Sequence, residues 1–295
     1  MGFGIRKAGT ADAAGIAAVW ARTTPYLVKT PAGIAAELAK ASRRVVFVAV
    51  ENDVVVGYGN AWAPDDAGRS RIAVQVPPEH GRRGIGAAMA ETVIGAAAGI
   101  GATTLITVTN DDEPSKRFAT DRGFTMGREL AHAKAPLDQL PEAVPPPPGF
   151  DLVTYDALEP RTVWQATSGV VEGDPSGLSA APPFEEWLAT DWDHPDLAKD
   201  LSIAVLADGE VASFVTTTAD ADRQVIWSNL TGTLPKYRGQ GLAKVVKSAA
   251  LHRAREAGFV AAYTGNDADN RPMLAVNRWL GYERGGVSWT ATRPL

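Results

Sequence analysis

The stretch Thr233-Leu234-Pro235-Lys236-Tyr237-Arg238-Gly239-Gln240-Gly241-Leu242-Ala243 decides how this chain is read. Val225 to Thr233 before it reads as a strand. Pro235 ends the strand, because proline has no N–H to give to a sheet ladder. Two glycines then predict a tight turn, and a helix follows to about Ala257, with Gly258 as its cap. Strand, proline, basic glycine-rich turn and helix start together form a place for phosphate. Backbone N–H groups point outward at such a helix start, and the helix dipole favours negative charge. Glycine lets the backbone approach a ligand without a Cβ clash, and Arg238 adds a cation.

The same order of elements recurs upstream. Val76-Pro77-Pro78 and Gly81-Arg82-Arg83-Gly84-Ile85-Gly86 precede a helix over about Ala87–Ala98. Pro78 to Pro235 and Gly84 to Gly241 are each 157 positions, and Gly123 to Gly281 is 158. Each half opens with a strand (about Phe3–Lys7, about Asp151–Tyr155) and one or two helices, followed by a hairpin. The hairpin turns are Glu51-Asn52-Asp53 and Ala207-Asp208-Gly209-Glu210. Thr103–Thr109 and Phe259–Thr264 are further strands. Short helices at about Pro114–Asp121 and Arg271–Leu280 close at Gly123 and Gly281. Phe124 is expected to start a last pair of strands, and Ser288–Thr292 a final one. The spacing indicates a tandem duplication of one α/β domain. The domains are expected at 1–135 and 150–295. Residues 136–149, with Pro145-Pro146-Pro147-Pro148, would be a stiff proline-rich linker.

Composition excludes several classes. The chain has 295 residues and no cysteine, so a disulfide framework, a thiolate metal site and a cysteine nucleophile are ruled out. Its four histidines (His80, His132, His194, His252) are scattered singly and spell out no metal cluster; His80 and His252 are expected at the surface. With 29 Lys+Arg against 34 Asp+Glu, the charge is −5, which argues against nucleic acid as a partner. No apolar run reaches the roughly 20 residues of a membrane span, and the N-terminus lacks a signal-peptide core, so a cytoplasmic protein is expected.

Three phosphate-binding readings compete at the glycine turns. A P-loop requires Gly-x-x-x-x-Gly-Lys-Ser/Thr, which neither half contains. A Rossmann turn follows the first strand of its unit, whereas these turns follow a hairpin, and Gly84-Ile85-Gly86 lacks the third glycine. The third reading fits. Thr233 to Ala243 resembles the acetyl-CoA motif of the GNAT acetyltransferase family, apolar-x-Pro-x-x-Arg/Gln-x-x-Gly-x-Gly/Ala. Asn270-Arg271-Pro272-Met273, Asn277 and Leu280-Gly281-Tyr282 resemble its later helix and Gly-aromatic close. The layout is similar to the two-domain members, of which mycothiol synthase is one. The resemblance implies two tandem domains, each a mixed, mostly antiparallel central sheet flanked by helices.

It also implies where acetyl-CoA binds as co-substrate. Backbone at the end of the fourth strand would hold the pantetheine arm: Thr231, Gly232 and Thr233 in the second half, Val74, Gln75 and Val76 in the first. The pyrophosphate would sit on Arg238, Gly239, Gln240, Gly241, Leu242, Ala243 and Lys244, or on the turn from Arg82 through Gly84 and Gly86 to Ala87. Asn270 to Ala275, including Met273, would face the cofactor's other side. The halves differ at the Arg/Gln position, which is Arg238 in one and Gly81 in the other. They differ again at Asp112, where the second half has Asn270. A carboxylate beside a polyanion is unfavourable, so the second half is expected to be catalytic and the first to bind acetyl-CoA without turnover or to serve as a scaffold.

The chemistry needs a base for the protonated amine, a donor for the tetrahedral oxyanion and an acid for the departing thiolate. The family's acid tyrosine position is Asn277 here, and Ala119 in the first half. By the resemblance, Tyr263 stands at the position of the fifth-strand tyrosine that serves as acid in mycothiol synthase. Tyr263 and Asn277 are therefore the candidate catalytic residues. Trp227 replaces the carboxylate that mycothiol synthase carries on the fourth strand. Candidate bases are Glu172, Asp174, Asp191, Asp193 and His194, while Trp187 and Trp192 would wall a pocket or pack in the core. The expected activity is N-acetyl transfer from acetyl-CoA to a primary amine of a small molecule or peptide, with neither nucleic acid nor membrane as partner. The alternative is an inactive acyl-CoA-binding sensor or scaffold. Acceptor and oligomeric state stay open.

Overall fold

The structure is a computed structural model that describes residues 2–40, 43–172, 181–267 and 269–295. The chain forms two compact units, Met1–Ala131 with Gly286–Leu295, and His132–Gly285.

Unit 1 contains β1 (Gly4–Lys7), α1 (Ala13–Thr23), α2 (Pro31–Ala39), β2 (Arg44–Glu51), β3 (Val54–Trp62), β4 (Arg69–Gln75), α3 (Ile85–Gly99), β5 (Thr104–Asn110) and α4 (Glu113–Thr120). β1 to β4 pair antiparallel in chain order, and β4 then pairs parallel to β5. Alternation along β2 decides the two faces. Val46 and Val48 pack against Ile16, Ala17 and Ile34 of α1 and α2. Phe47 and Ala49 face Ile85, Met89, Val93 and Ala97 of α3, a stripe at four-residue spacing.

Unit 2 contains β7 (Asp151–Thr154), α5 (Pro160–Val171), α6 (Phe184–Trp187), β8 (Ile203–Ala207), β9 (Glu210–Asp220), β10 (Val225–Thr233), α7 (Leu242–Glu256), β11 (Ala261–Asp267) and α8 (Arg271–Trp279). The pattern repeats: β7 to β10 are antiparallel, and β10 runs parallel to β11. Ile203 and Val205 meet Leu242, Val245 and Val246 of α7. Ala204 and Phe214 meet Val163 and Ala166 of α5, with Trp187 and Trp192. Each unit is thus a mixed, mostly antiparallel sheet covered on both faces.

Three features differ from the sequence reading. The expected strand pair after Phe124 is one strand, β6 (Thr125–Pro136). Its interior has no proline, asparagine or aspartate to turn it. The closing strand, β12 (Glu283–Pro294), is longer than expected. Its residues Ser288–Pro294 pair antiparallel with β5 in unit 1, from Ser288↔Asn110 to Pro294↔Thr104. Residues 136–149, read as a linker, lie within unit 2. Val144 N donates to Ser248 Oγ of α7 at 3.1 Å, and His252 Nε2 lies 3.0 Å from Pro141 O. Leu137, Leu140 and Val144 punctuate the prolines and dock on the core. The same contact half-buries His252, which was expected at the surface; His80 is half-buried as well.

Gly232 near the end of β10 is a close-approach position. A Cβ there would stand 2.7 and 2.8 Å from the two methyls of Val170 and 3.0 Å from Phe214. Gly232→Ala is expected to lower unfolding free energy by about 1–3 kcal/mol. Gly95→Ala, on an α3 face with nothing within 4 Å, is expected to raise it by about 0.4–1 kcal/mol. Denaturant midpoints of the two variants check both signs.

Candidate active site

The site in unit 2 is built by strands that part. β10 and β11 pair from Val225↔Ala261 to Ser228↔Thr264, and among the described residues no pair follows. On the other edge, β10 slips register against β9 between Ser228 and Thr231 and then continues from Thr231↔Val215 to Thr233↔Ser213. One extra residue on β10 makes a bulge, which bends a strand and increases its twist. Thr231, Gly232 and Thr233 therefore keep β9 on one side and turn a backbone edge toward the opening on the other. In unit 1, β4 and β5 pair only from Arg69↔Thr104 to Arg71↔Ile106, so Val74 and Val76 also lie beyond the parting.

The glycine turn sits at the end of this opening. Leu234 and Pro235 lead through a single 3-10 turn to Arg238, and Gly239 (φ 78°) and Gly241 (φ 77°) adopt left-handed backbone. Gly241 is the N-cap of α7 and Leu242 its first buried residue. The turn is anchored before Arg238: Lys236 pairs with Glu210, and Tyr237 Oη donates to the same carboxylate at 3.0 Å. Both contacts hold the Glu210 carboxyl below its usual range. Arg238 is exposed, donates Nε to Thr233 O at 3.2 Å and has no carboxylate partner among the described residues.

The turn in unit 1 has the same backbone and different charges. Gly84 (φ 83°) caps α3, with Ile85 buried behind it and Gly86 against Phe118. Arg82 takes the left-handed position (φ 61°) that Gly239 fills in unit 2, a conformation that costs an L-residue about 1 kcal/mol. Arg83 is held by Glu51 through two hydrogen bonds, one of them 3.0 Å. One of the two arginines in this turn is thereby committed to the neighbouring hairpin.

The floor under the unit 2 opening is polar. Ala243 and Lys244 open α7, and Lys244 Nζ lies 3.3 Å from the centroid of the Trp279 ring, a cation–π contact. One turn on, Lys247 is 1% exposed. Its Nζ lies 5.1 Å from the Tyr282 ring, and no hydrogen bond or ion pair reaches it among the described residues. Tyr282 Oη is 3.3 Å from Ser228 Oγ, at the last paired residue of β10. Burial pulls Lys247 down to about 7 and pushes the Tyr282 phenol above its usual range. Asn277 is 3% exposed and donates Nδ2 to Asn266 Oδ1 at 2.6 Å. As an amide it holds no titratable proton, so it positions neighbours and cannot serve as the acid. Asn270 caps α8 by accepting from Met273 N at 3.3 Å, and Asp112 caps α4 by accepting from Ser115 N at 2.8 Å. The Asp/Asn difference between the halves thus falls at a helix cap.

Tyr263 lies elsewhere. Ile226 and Ala262 face α7, so strand alternation turns Trp227, Tyr263 and Gly265 to the opposite face. Tyr263 is half-buried beside Trp227, with Lys134 Nζ 5.7 Å from its ring centroid. Trp227 packs toward His132, ring centroids 6.4 Å apart, and burial pulls that histidine down to about 4. The structure does not bring Tyr263 and Asn277 together. Glu172, Asp191 and Asp193 are exposed, His194 Nδ1 accepts from Asp196 N at 3.1 Å, and Asp174 lies outside the described residues. Trp187 and Trp192 are core residues: Trp192 stacks on Tyr155, and Trp187 tilts against Trp192. Among the described residues, no group of three or more His, Asp or Glu side chains could hold a metal. Lys247, which the sequence reading did not single out, lies buried one turn beyond Lys244. The signal for Lys247 was its place in the apolar stripe with Leu251 and Ala254.

Residues 16–124 and 171–282 match the acetyltransferase (GNAT) family. A mycothiol acetyltransferase of Thermomonospora curvata is 28% identical over 253 residues, covering 84% of this chain and 82% of its own. One from Rhodococcus erythropolis is 26% identical over 290 residues, 95% of each chain. A tandem GNAT protein from the clavulanic acid biosynthesis pathway has the same fold, with a TM-score of 0.76 at 20% identity, over 99% of this chain and 98% of that one.

The buried lysine makes stability pH-dependent. Lysine ordinarily titrates near 10.5 and Lys247 near 7, so between those values the unfolded chain binds more protons than the folded one. Stability contributed through this group therefore rises with pH across the window. Lys247→Met is expected to stabilise the protein most at and below pH 7, by no more than about 5 kcal/mol, with the gain fading toward pH 10.5. Melting curves of both proteins from pH 6 to 10.5 check this, and a difference that is flat with pH contradicts it.

Proposed function

Because the chain belongs to the GNAT acetyltransferase family, an acyltransferase lineage, we propose that unit 2 transfers an acetyl group from acetyl-CoA to a primary amine of a small molecule or peptide. One observation carries the choice of unit: Arg238 stands at the α7 turn with no carboxylate partner among the described residues, whereas Arg83 in the corresponding turn is held by Glu51. The parted β10 edge and the left-handed glycines fit a phosphate-bearing pantetheine arm. An added Cβ at Gly239 or Gly241 would meet nothing within 4 Å but would be strained by its positive φ. The relatives' activity, mycothiol acetylation, supports a small-molecule acceptor. Trp227, at the position of a fourth-strand carboxylate in mycothiol synthase, gives this chain a different acceptor side.

Acetyl-CoA supplies the activated acyl thioester. Backbone N–H groups of α7's first turn and Arg238 bind its pyrophosphate, with Lys244 one turn edge away. The opened edge of Thr231–Thr233 holds the amide arm and offers an N–H to the oxyanion that forms on the acyl carbon. Tyr263, beside Trp227, is the proposed proton donor to the departing sulfur. The amine nitrogen bonds to the acyl carbon and the C–S bond breaks; the nitrogen gives its proton to solvent, the Tyr263 hydroxyl gives one to the sulfur, and solvent returns that proton to Tyr263.

Calorimetric titration with acetyl-CoA is expected to give one tight site per chain. Arg238→Ala is expected to weaken it by about tenfold or more, and Arg82→Ala by much less. Two equal sites, or an unchanged Arg238→Ala affinity, contradict the assignment to unit 2. Release of free CoA with an amine panel separates an enzyme from a binding-only protein. Tyr263→Phe is expected to lower that turnover by about 100-fold with acetyl-CoA affinity kept; full turnover removes Tyr263 from the mechanism.

A further inference from the structure

Trp279 stands apart from the core of unit 2. α8 turns Asn277 and Leu280 inward, both buried, and Val276 packs on the cluster that holds Leu251 and Ile226. Trp279, in the last turn of the same helix, is left 40% exposed. An indole that keeps so much surface in water forgoes much of what its burial could contribute. Its neighbour is Lys244, whose Nζ lies 3.3 Å from the ring centroid. Lys244 is the third residue of α7, within one turn of the Gly241 cap. The ring therefore adjoins the helix start proposed for the pyrophosphate.

Both side chains are within reach of a ligand, Trp279 exposed and Lys244 half-buried. Among the described residues no hydrogen bond or ion pair engages the Lys244 ammonium, so the ring is what meets its charge. An exposed cation–π contact is weaker than a charge-assisted bond to phosphate. A flexible four-carbon stem can exchange one for the other without moving the helix. The duplicated unit supplies a control. Lys244 corresponds to Ala87 by the 157-position offset of the glycine turns, and Trp279 to Asp121 by the 158-position offset of Gly123 and Gly281. Unit 1 thus has neither cation nor ring at these places, and its Asp121 lies 3.6 Å from Arg117. A carboxylate there disfavours phosphate. Cation and ring occur together in the unit whose Arg238 has no carboxylate partner among the described residues.

We propose that Trp279 and Lys244 form a subsite for the nucleotide end of the acyl donor. The purine stacks on the indole, and the Lys244 ammonium pairs with the phosphate carried on the ribose. Arg238 and the N–H groups of the helix start remain for the diphosphate. Stacking suits an exposed indole, because a base presents a flat π face and needs no enclosing pocket. The subsite selects a thioester borne on a phosphorylated nucleotide over one borne on phosphopantetheine alone, such as that of a carrier protein. This subsite rests on the acetyl-CoA reading of unit 2, and it fixes the class of donor.

The test titrates the full-length protein by calorimetry with coenzyme A, 3′-dephospho-coenzyme A and 4′-phosphopantetheine. Tryptophan fluorescence is followed with adenosine 3′,5′-bisphosphate. Coenzyme A is expected to bind at least about tenfold more tightly than its 3′-dephospho form, and Lys244→Met to abolish that preference. Trp279→Leu is expected to weaken both nucleotides by about tenfold and to leave 4′-phosphopantetheine unchanged; Trp279→Phe, which keeps a ring, restores most of the loss. The bisphosphate is expected to quench the wild-type protein and not Trp279→Phe. If Trp279→Leu does not fold by its melting curve, Lys244→Met and the bisphosphate titration must show their effects instead. Equal binding of coenzyme A and its 3′-dephospho form, or unchanged affinities in the folded variants, overturns the subsite and leaves the acetyl-CoA reading standing. A loss for 4′-phosphopantetheine as large as for the nucleotides makes the role of Trp279 structural and overturns the subsite as well. No binding of coenzyme A overturns both.

Discussion

The parting of β10 from β11 after Ser228 is the constraint on which unit 2's site depends. A parallel pair keeps going while both strands share one twist. The bulge between Ser228 and Thr231 breaks that condition by giving β10 one residue more than β9. Every later feature follows from the change of direction. The strand must stop, and Pro235 stops it. The chain must then turn sharply into a helix, and the left-handed backbone at Gly239 and Gly241 allows that. The opened edge also exposes peptide groups that would each cost about 1–3 kcal/mol if buried without a partner. A ligand that is itself a chain of amides suits such an edge.

The two units serve as an internal comparison, since the same backbone device carries different charges. In unit 2 the hairpin carboxylate Glu210 takes Lys236 and Tyr237, residues that precede the turn. In unit 1 the hairpin carboxylate Glu51 takes Arg83, a residue of the turn itself. The difference of a few positions decides which cation remains at the helix start. The helices diverge in the same sense. Lys244 and Lys247 of α7 stand 157 positions after Ala87 and Ala90 of α3. Unit 2 therefore keeps positive charge over the helix start, while unit 1 concentrates its polar chemistry on the other cover of its sheet, around Glu37, Arg44 and Asn60.

Much of this was legible in the sequence because the signals are local. Glycine and proline at fixed offsets mark turns, and the apolar runs Arg44–Val50 and Leu201–Leu206 mark strands wherever they end up. The helix predicted over about Ala87–Ala98 is Ile85–Gly99, for the same reason. What could not be read depends on distant partners. The stretch after Phe124 reads as two strands and is one, β6, which meets a segment far along the chain through Arg128 N and Thr290 Oγ1. Residues 136–149 looked like a linker because four prolines dominate the composition, while Ser248 and Val260, to which they bond, are more than a hundred positions away. Asn270 and Asp112, read as a contrast between the halves at the cofactor, each also cap a helix, a role defined by the N–H accepted and not by residue type alone.

Lys247 shows most clearly why the site's floor escapes sequence reasoning. By helical spacing it falls with Leu251 and Ala254, the stripe of α7 that packs on Ile226 and Ala262. A lysine in such a stripe reads as a surface residue at the edge of the amphipathic face, because a long side chain can carry its charge to water. Here it cannot: the side chain is 1% exposed, with its Nζ 5.1 Å from the Tyr282 ring centroid. Local preference and tertiary position disagree, and such disagreements gather where function constrains the chain. The conflict is resolved through protonation. Burial pulls its titration to about 7, and the ring it approaches, Tyr282, reaches Ser228 through its hydroxyl. The same packing makes the lysine costly below pH 7.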